Sequence, residues 1–289
     1  MTEDPFVTHR SLLFTVAYEL LGSAADAEDV VQETWLRWAD GDRSDVLDPR
    51  AYLVRIVTRL GLNRLRTLAR RREEYVGEWL PEPLLTSPDV AEDVELAESV
   101  SIAMLTVLET LAPTERAVFV LREVFDVPYD EIAAAVDKSP AAVRQIAHRS
   151  REHVAARRPR VQVDRAEQEQ VVQRFLLALE TGDLQRLLDV LAPDVVVVAD
   201  GGGVASAVRR PITGREKVAK LLSRFRAIAP DAVIHPWWLN GAPAARIELG
   251  GALDTAVSVE VADGQITRIY AVRNPAKLAR LGEEAPLRR

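Results

Sequence analysis

The sequence predicts a multidomain protein in which two all-α helical domains are followed by one α+β domain. Three observations predict this organisation. The chain has 289 residues, which exceeds the usual size of a single domain. Residues 6–160 carry helix signals, and β-branched runs separated by glycines begin only after residue 160. The change of pattern therefore divides the helical half from the α+β half.

The helical half is divided again by an acidic segment that contains prolines. Pro81, Pro83 and Pro88 lie among acidic residues there, which is typical of a linker. The predicted boundaries are 1–72 and 99–160 for the helical domains, 73–98 for the acidic linker, 164–280 for the α+β domain and 281–289 for a tail.

Each helix at the start of the chain begins or ends at a recognisable residue. Gly22 ends the first helix, Ser23 caps the second, and Pro49 opens a long third helix. The helices predicted in this half are 7–21, 24–39, 49–70, 99–111, 114–123, 129–136 and 140–157.

The α+β half combines helices with β-branched strands. Glycine pairs and Asp263-Gly264 separate the strands at intervals that favour a mostly antiparallel sheet. The predicted helices are 167–180, 183–191 and 214–228, and the predicted strands are 195–198, 244–249, 255–261 and 266–272.

Composition excludes several classes of site. The chain has no cysteine, which excludes disulfides, thiolate nucleophiles and cysteine-bound metal clusters. Four scattered histidines do not suggest a metal site, and we predict no cofactor. No run of about 18 apolar residues is present, and the first residues lack the pattern of a signal peptide. We therefore expect a cytoplasmic protein without a membrane segment.

Charge is strongly segregated although the net charge is only −7. Residues 49–72 contain eight arginines and no acid, residues 73–99 contain nine acids and no base, and residues 138–160 contain seven bases and one acid. A single basic block is usually a solvated helix face. Two basic blocks that flank an acidic connector indicate two cationic surfaces for one polyanion.

The strongest local motif is a helix-turn-helix over residues 128–151. Ser139 can cap the second helix, and Pro140 suits its first turn. On that helix Arg144 and Gln145 are placed to read bases, while Arg149 and the later Arg157 and Arg158 suit phosphates. The alternative is an ordinary helical hairpin with a basic face.

Two further helices carry patterned surfaces. The helix that starts at Pro49 has an arginine stripe (Arg55, Arg59, Arg66, Arg70), and Tyr52 is available to stack on an unpaired base. A solvated arginine face with Tyr52 in the core is an equal alternative. The helix over 24–39 should bury Ala27, Val31, Trp35 and Trp38 and present Asp29, Gln32, Glu33 and Leu36 as a protein-binding surface.

These motifs, in this order, resemble a known family. DAEDVVQETWLRW, then DPRAYLVRIVTRLGLNRLR, then the helix-turn-helix resemble a bacterial extracytoplasmic-function sigma factor. The resemblance implies binding to core RNA polymerase (its β′ clamp helices and β flap) and to the −10 and −35 promoter elements. The residues it implies are Asp26, Glu28, Asp29, Gln32, Glu33 and Leu36 for polymerase, Arg50, Tyr52, Arg55, Arg59, Asn63 and Arg66 for −10 DNA, and Ser139, Ala141, Arg144, Gln145, His148, Arg149 and Arg151 for −35 DNA.

The last 125 residues resemble a SnoaL-like domain of the NTF2-like fold, a cone-shaped α+β sheet, through FLLALETGDLQRLLDVLAPDVVVVADGGG. One sigma-factor subgroup carries this domain fused at its C-terminus, together with three short motifs. The domain is thought to regulate the sigma core in cis. The motif residues here are Trp79, Leu80, Pro81, Glu82, Pro83 and Leu84, then Asp200, Gly201, Gly202 and Gly203, then Asn274, Pro275, Lys277 and Leu278, with Val204 and Ala276 as departures from the subgroup.

A mechanism follows for the linker motif. Trp79-Leu80-Pro81 has little reason to be soluble alone, so we expect the Asp200–Gly203 and Asn274–Leu278 loops to hold it jointly and to fix the spacing of the two DNA-binding domains. A linker that merely packs on the nearest surface is the alternative.

Two other functions are kept open at this point. Catalysis in the α+β domain would need a general base in an apolar pocket, yet Asp194, Asp200, Asp254 and His235, with Trp237 and Trp238 as walls, form no recognisable constellation. Ligand sensing by that pocket is also open. For the whole chain the alternative is a helix-turn-helix regulator that binds a small effector and has no need of polymerase. We expect a monomer.

Overall fold

The computed structural model describes residues 4–41, 43, 45–157 and 163–289, without the side chains of 69–73, 91 and 92. The Arg70 side chain and Arg158, both predicted to face DNA, lie outside the described residues.

Three helices form the first domain. They are α1 (Pro5–Leu21), α2 (Ala24–Asp40) and α3 (Pro49–Glu73). Gly22 ends α1 in the left-handed conformation (φ 64°), and its N–H donates to the Tyr18 carbonyl over 2.7 Å. The Ser23 hydroxyl caps α2 by accepting from the Asp26 N–H over 3.2 Å. Both predicted boundaries are confirmed.

Five helices form the second helical unit. They are α4 (Val94–Val100), α5 (Ile102–Leu108), α6 (Pro113–Phe119), which continues as a π-helical turn over Val120–Val124, α7 (Tyr129–Val136) and α8 (Pro140–Ala155).

The predicted helix over 99–111 is wrong in both its start and its continuity. Helix α4 begins at Val94, inside the predicted linker, because the Asp93 carboxylate caps it by accepting from the Leu96 N–H over 3.0 Å. Ser101 interrupts the helix and caps α5 through the Met104 N–H over 3.1 Å. The acidic segment therefore supplies helix caps as well as a connector.

Among the described residues, the C-terminal domain contains one sheet of six strands. Its helices are α9 (Arg165–Thr181), α10 (Leu184–Val190), α11 (Arg215–Ser223), α12 (Phe225–Ile228) and α13 (Pro275–Leu278). Its strands are β1 (Leu191–Asp200), β2 (Ile212–Thr213), β3 (Val233–Leu239), β4 (Ala242–Leu249), β5 (Ala252–Ala262) and β6 (Gln265–Val272).

The strand order is β2-β1-β6-β5-β4-β3, and every neighbouring pair is antiparallel except β1 with β6. The predicted mostly antiparallel α+β domain is confirmed. The sequence reading missed β2 and β3. Strand β3 contains Pro236, which argues against a central strand, and it lies at the end of the sheet, where proline is tolerated.

The two faces of the sheet have different partners. One face packs on α9, α10 and α11 in an apolar core that includes Phe175, Val197, Val257 and Ile269. The other face presents Ala244, Ala256, Tyr270 and Val272, and it receives Leu80 of the linker and Ile102 of α5. The helical half and the C-terminal domain therefore meet across the second face.

No helix among the described residues is both long enough and apolar enough to cross a membrane.

Candidate functional site

The helix-turn-helix has the predicted division of faces. Ser139 caps α8 by accepting from the Ala142 N–H over 3.2 Å. Val143 and Ile146 are buried with Ile132 and Val136 of α7 in one apolar cluster. The predicted DNA residues of α8 are exposed, namely Ser139, Ala141, Arg144, Gln145, His148, Arg149 and Arg151. Asp137 adopts the left-handed conformation (φ 56°) that the turn requires.

Helix α3 presents a more constrained surface than its arginine stripe suggests. Tyr52 is half-buried beside Trp38, with ring centroids 6.0 Å apart, and the Arg55 guanidinium lies 5.1 Å from the Tyr52 ring. Arg59 donates from Nη2 to the Ala134 carbonyl of α7 over 2.8 Å. The third helix of the first domain is thus bonded to the first helix of the helix-turn-helix. Arg50, Asn63 and Arg66 are exposed.

The acidic face of α2 is open at its centre. Asp29, Gln32, Glu33 and Leu36 are exposed, and the Leu36 side chain is 53% exposed. Glu28 pairs with Arg10 over 2.7 Å. Arg64 of α3 pairs with Asp26 over 2.6 Å and with Asp29 over 3.2 Å. The predicted burial of Trp35 is wrong. This residue is 37% exposed, because the start of α1 covers only part of its ring, through Phe6, with the two ring centroids 5.0 Å apart.

A buried carboxylate joins the C-terminal domain to the linker. Asp200, fully buried at the end of β1, accepts from the Leu80 N–H over 3.0 Å and from the Tyr75 hydroxyl over 2.5 Å. Lys277 pairs with the same carboxylate over 2.6 Å and also donates to the Leu80 carbonyl. Burial, and then the adjacent Asp200 carboxylate, raises the pKa of Tyr75. The Asp200 and Lys277 loops and the linker therefore form one bonded cluster.

Glycine is required next to this carboxylate. Gly202 has φ 62°, and a Cβ built there would lie 2.5 Å from Asn274 Nδ2. The Asn274 amide in turn donates to the Tyr75 hydroxyl over 2.8 Å. The close approach of the two loops explains why a side chain at residue 202 would separate them.

The middle of the linker is bonded to the first domain. Glu82 donates its N–H to the Gly22 carbonyl over 2.8 Å and accepts from the Tyr18 hydroxyl over 2.7 Å. Its carboxylate accepts from the Ser23 hydroxyl over 3.1 Å and from the Ala25 N–H over 3.3 Å, at the N-terminus of α2. Residues 80–84 are all buried. The linker motif is therefore enclosed between α1, the start of α2 and the C-terminal domain.

Asn240 connects all three domains. Its amide nitrogen donates to the Tyr18 hydroxyl over 2.7 Å and to the Val100 carbonyl over 2.8 Å. Its amide oxygen accepts from the Leu84 N–H over 2.9 Å. The residue is buried in the β3–β4 hairpin with φ 53°. One side chain of the C-terminal domain thus bonds to α1, α4 and the linker.

Charged groups are buried where α1 meets the second helical unit. Arg116 of α6 is 1% exposed, donates to the Glu19 carbonyl over 2.9 Å and pairs with Glu109. The Glu19 carboxylate accepts from the Ser99 hydroxyl over 2.8 Å. Burial raises the pKa of Glu19 to about 8 and lowers that of Arg116 to about 9.

Three of the four side chains considered for catalysis have other charged partners, and the fourth, Asp194, is exposed. Asp200 holds the linker, Asp254 pairs with Arg273 over 2.8 Å, and His235 lies 3.7 Å from Glu248. A cavity of about 250 Å³ lies between α4–α5 and the sheet, with Met104, Trp238 and Tyr270 in its wall. The Tyr270 hydroxyl is already bonded to Glu260. Within the described residues, no group of three or more His, Asp or Glu side chains is placed to hold a metal ion.

Sequence reasoning missed Tyr75, Asn240, Glu19 and Arg116. Asn240-Gly241 is a strong hairpin signal that predicts a turn and a preceding strand, so it was available in the sequence. Tyr75 stands next to the arginine-rich block and carries no local signal. Glu19 and Arg116 are charged, and charged residues are rarely fully buried.

Two family models match separate segments of the chain. Residues 6–71 match the family model Sigma-70 region 2, and residues 101–154 match Sigma-70, region 4. The chain is 42% identical over 226 residues to the ECF RNA polymerase sigma factor SigJ of Mycobacterium tuberculosis, covering 77% of this chain and 72% of the relative.

Two further likenesses extend over nearly the whole chain. A second M. tuberculosis relative, named "Probable ECF RNA polymerase sigma factor SigI", is 31% identical over 279 residues, covering 96% of this chain and 94% of the relative. The crystal structure of M. tuberculosis SigJ is similar with a TM-score of 0.77 at 35% identity, covering 96% of this chain and 98% of that one. The chain therefore belongs to the extracytoplasmic-function family of RNA polymerase sigma factors, and it acts with core RNA polymerase in promoter recognition and transcription initiation.

Proposed function

We propose that the C-terminal domain of this sigma factor regulates the sigma core in cis by gripping the linker between its two DNA-binding domains. The grip holds α3 against α7 and fixes the spacing of the domains. In this proposal the C-terminal domain is non-catalytic, and the protein acts as a monomer in the cytoplasm. The observation that carries the proposal is the buried Asp200 carboxylate, which binds Tyr75, the Leu80 N–H and Lys277 together.

The proposed polymerase surface is the exposed face of α2. Asp26, Glu28, Asp29, Gln32, Glu33 and Leu36 would contact the β′ clamp helices. The support is an apolar side chain, Leu36, that stays exposed within an acidic face. The second helical unit would contact the β flap.

The two proposed DNA surfaces differ in how accessible they are to DNA. The base-reading residues of α8 are exposed, so the helix is free to enter the major groove of −35 duplex DNA. On α3, the hydrogen bond from Arg59 to the Ala134 carbonyl must break before Arg59 can reach −10 DNA. The closed arrangement is therefore expected to restrain the −10 step more than the −35 step.

The first test replaces Asp200 with Asn. The amide keeps the shape of the carboxylate but removes the negative charge from Lys277, whose side chain is 11% exposed. We expect the linker to loosen and promoter-dependent RNA synthesis by the reconstituted holoenzyme to increase several-fold. Asp194→Asn is the matched control, because Asp194 is an exposed residue of the same strand. Equal RNA synthesis by wild type and Asp200→Asn would contradict cis regulation through the grip.

The second test addresses the polymerase surface. Leu36→Asp should abolish stoichiometric co-purification with sigma-free core RNA polymerase, because the substitution places a charge at the centre of the contact. Leu177→Asp is the control, since Leu177 is a similarly exposed leucine of α9 (49%). Retained binding by Leu36→Asp would exclude this face of α2 as the polymerase contact.

A further inference from the structure

We infer that residues Glu284–Arg289, called the strap here, close over the docked linker and must leave before the linker can leave. The inference rests on the proposed function, since it concerns how the linker grip is released. It adds a segment that the linker and loop motifs do not include.

The strap covers the second edge of a linker segment that is already bonded on its first edge. On the first edge, the Asn240 N–H donates to the Leu84 carbonyl over 2.9 Å and the Thr86 N–H donates to the Trp238 carbonyl over 3.1 Å. On the second edge, the Ala285 N–H donates to the Leu85 carbonyl over 2.9 Å, and Leu85 forms a parallel bridge with Glu284. The linker at Leu85 is therefore bridged on both edges, by β3 on one side and by the strap on the other.

Beyond the linker, the strap contacts both helical domains. Leu287 is 7% exposed and belongs to the apolar cluster shared by the helices from α1 to α8. The Arg288 N–H donates to the Thr15 hydroxyl of α1 over 3.0 Å. Arg289 pairs with Asp93 over 3.1 Å and with Glu95, at the start of α4. Six residues thus tie the C-terminal domain to α1, the linker and α4.

Exposure sets the order of release. Linker residues 80–84 are all buried, whereas four of the six strap residues are exposed, namely Glu284, Pro286, Arg288 and Arg289. Segments with few buried contacts open first in native proteins. Because the Ala285 bond to Leu85 closes the outer edge of the linker, the strap has to open before the buried linker can separate from β3.

The test is amide hydrogen exchange of the full chain, measured on peptides over 79–90 and 284–289. Leu287→Ser should raise exchange of 79–90 by about tenfold or more, since a buried leucine anchors the strap. Arg289→Glu should raise it several-fold, and adding Glu95→Arg should restore part of the slow rate by reversing one of the two ion pairs. Arg288→Glu is the control, because it changes the charge equally at an exposed neighbouring side chain.

In wild type, residues 284–289 should exchange faster than 79–90. Faster exchange of the linker, or unchanged linker exchange in both Leu287→Ser and Arg289→Glu, would overturn the inference. Asp200→Asn in the same series separates the two proposals. If it changes RNA synthesis while the strap variants leave the linker unchanged, only the strap inference fails. If the strap variants speed linker exchange and no variant changes RNA synthesis, the strap stands and cis regulation fails.

Discussion

The two faces of the C-terminal sheet are built for different purposes. The face against α9–α11 is closed by apolar side chains such as Phe175, Val257 and Ile269. The face toward the linker combines Leu80 and Tyr270 with polar groups such as Asp200 and Asn240. Burial of apolar side chains stabilises a core, and these side chains form no hydrogen bonds with water when the core opens. The polar face holds equally buried groups, but each of them can exchange its partner for water.

Buried polar atoms without a hydrogen-bond partner are also concentrated near the linker. Among the described residues, four buried side-chain atoms have no hydrogen-bond partner, and three of them surround the junction of α1, α6 and the linker: Glu19 Oε2, Glu82 Oε1 and Arg116 Nη2. Such atoms reduce the stability of the closed junction and regain hydrogen bonds to water when it opens. We therefore expect the α9–α11 face to maintain the domain and the linker face to be the one that separates.

The largest expected effect breaks the apolar face. Phe175→Ala should lower the free energy of unfolding of the C-terminal domain by about 3–5 kcal/mol, because it leaves a cavity where a ring is 1% exposed. Denaturant unfolding of the full chain measures it, with Leu177→Ala on the exposed side of the same helix as the near-neutral control. If Phe175→Ala altered RNA synthesis with no loss of stability, the apolar face would belong to the switch.

Asn240→Gly should break the polar face with less damage to the domain. Glycine keeps the positive φ of 53° but removes the amide that bonds Tyr18, Val100 and Leu84. We expect the closed arrangement to lose about 2–3 kcal/mol, given about 1 kcal/mol for each bond.

Cleavage by a glutamyl-specific protease measures this opening, because residues 73–98 contain seven Glu and neither Lys nor Arg. Cleavage in the linker should accelerate about 30-fold or more. Asp263→Gly is the matched control, at another hairpin residue with positive φ (51°). Equal acceleration in both variants would mean that the loss of Asn240 acts through the domain and not through the junction.

Local signals predicted local structure well. Gly22, Ser23 and Ser139 act on backbone groups within four residues, so the helix boundaries they set could be read directly. The faces of α7 and α8 follow from helical periodicity for the same reason. Trp35 shows the limit of that reasoning, because periodicity gives a face and not the extent of the neighbour that covers it.

Contacts between distant residues could be predicted only where a motif marked them. The linker and its two loops were marked in this way, and their contacts join residues 80, 200 and 277. Asn240 bonds to Tyr18, 222 residues away, and the strap bonds to Thr15, 273 residues away, without any periodic pattern. The sequence predicts that Arg59 faces DNA, and only the position of α7 shows that this side chain bonds to the Ala134 carbonyl.

Trp79→Ala tests a residue on the linker side that makes both an apolar and a cation–π contact. The Lys277 ammonium lies 4.1 Å from the Trp79 ring centroid, and the indole fills the space next to Gly22. Losing a partly desolvated cation–π contact should weaken the grip by about 1–2 kcal/mol and change RNA synthesis, with little change in domain stability. Trp79→Phe keeps an aromatic face and should restore most of the wild-type response. An unchanged promoter response to Trp79→Ala would count against the docking role of this ring.

The smallest expected effect is the change in the free energy of unfolding per pH unit that Glu19 causes. Its carboxyl accepts from the Ser99 hydroxyl of α4 and interacts electrostatically with Arg116 of α6 and with Tyr18 on its own helix. Arg116 in turn pairs with Glu109, and the Tyr18 hydroxyl donates to the Glu82 carbonyl of the linker. Burial raises its pKa from 4.5 to about 8, so the folded protein keeps a proton that the unfolded chain releases. The resulting stability is fully present below pH 4.5 and is lost as the pH rises toward 8.

Between pH 5.5 and 7.5, the free energy of unfolding of the wild type should therefore fall by up to about 1.4 kcal/mol per pH unit relative to that of Glu19→Gln. Urea unfolding at each pH measures this difference. Arg116 stays charged across this window, because its lowered pKa of about 9 lies above it. Burial also raises the pKa of Glu82, so Glu19→Gln should keep a residual slope that Glu19→Gln with Glu82→Gln removes. Parallel pH profiles for wild type and Glu19→Gln would mean that Glu19 is ionised in the closed junction. The junction would then hold a charged Glu19 near the charged Arg116, and the polar face would lose this pH dependence.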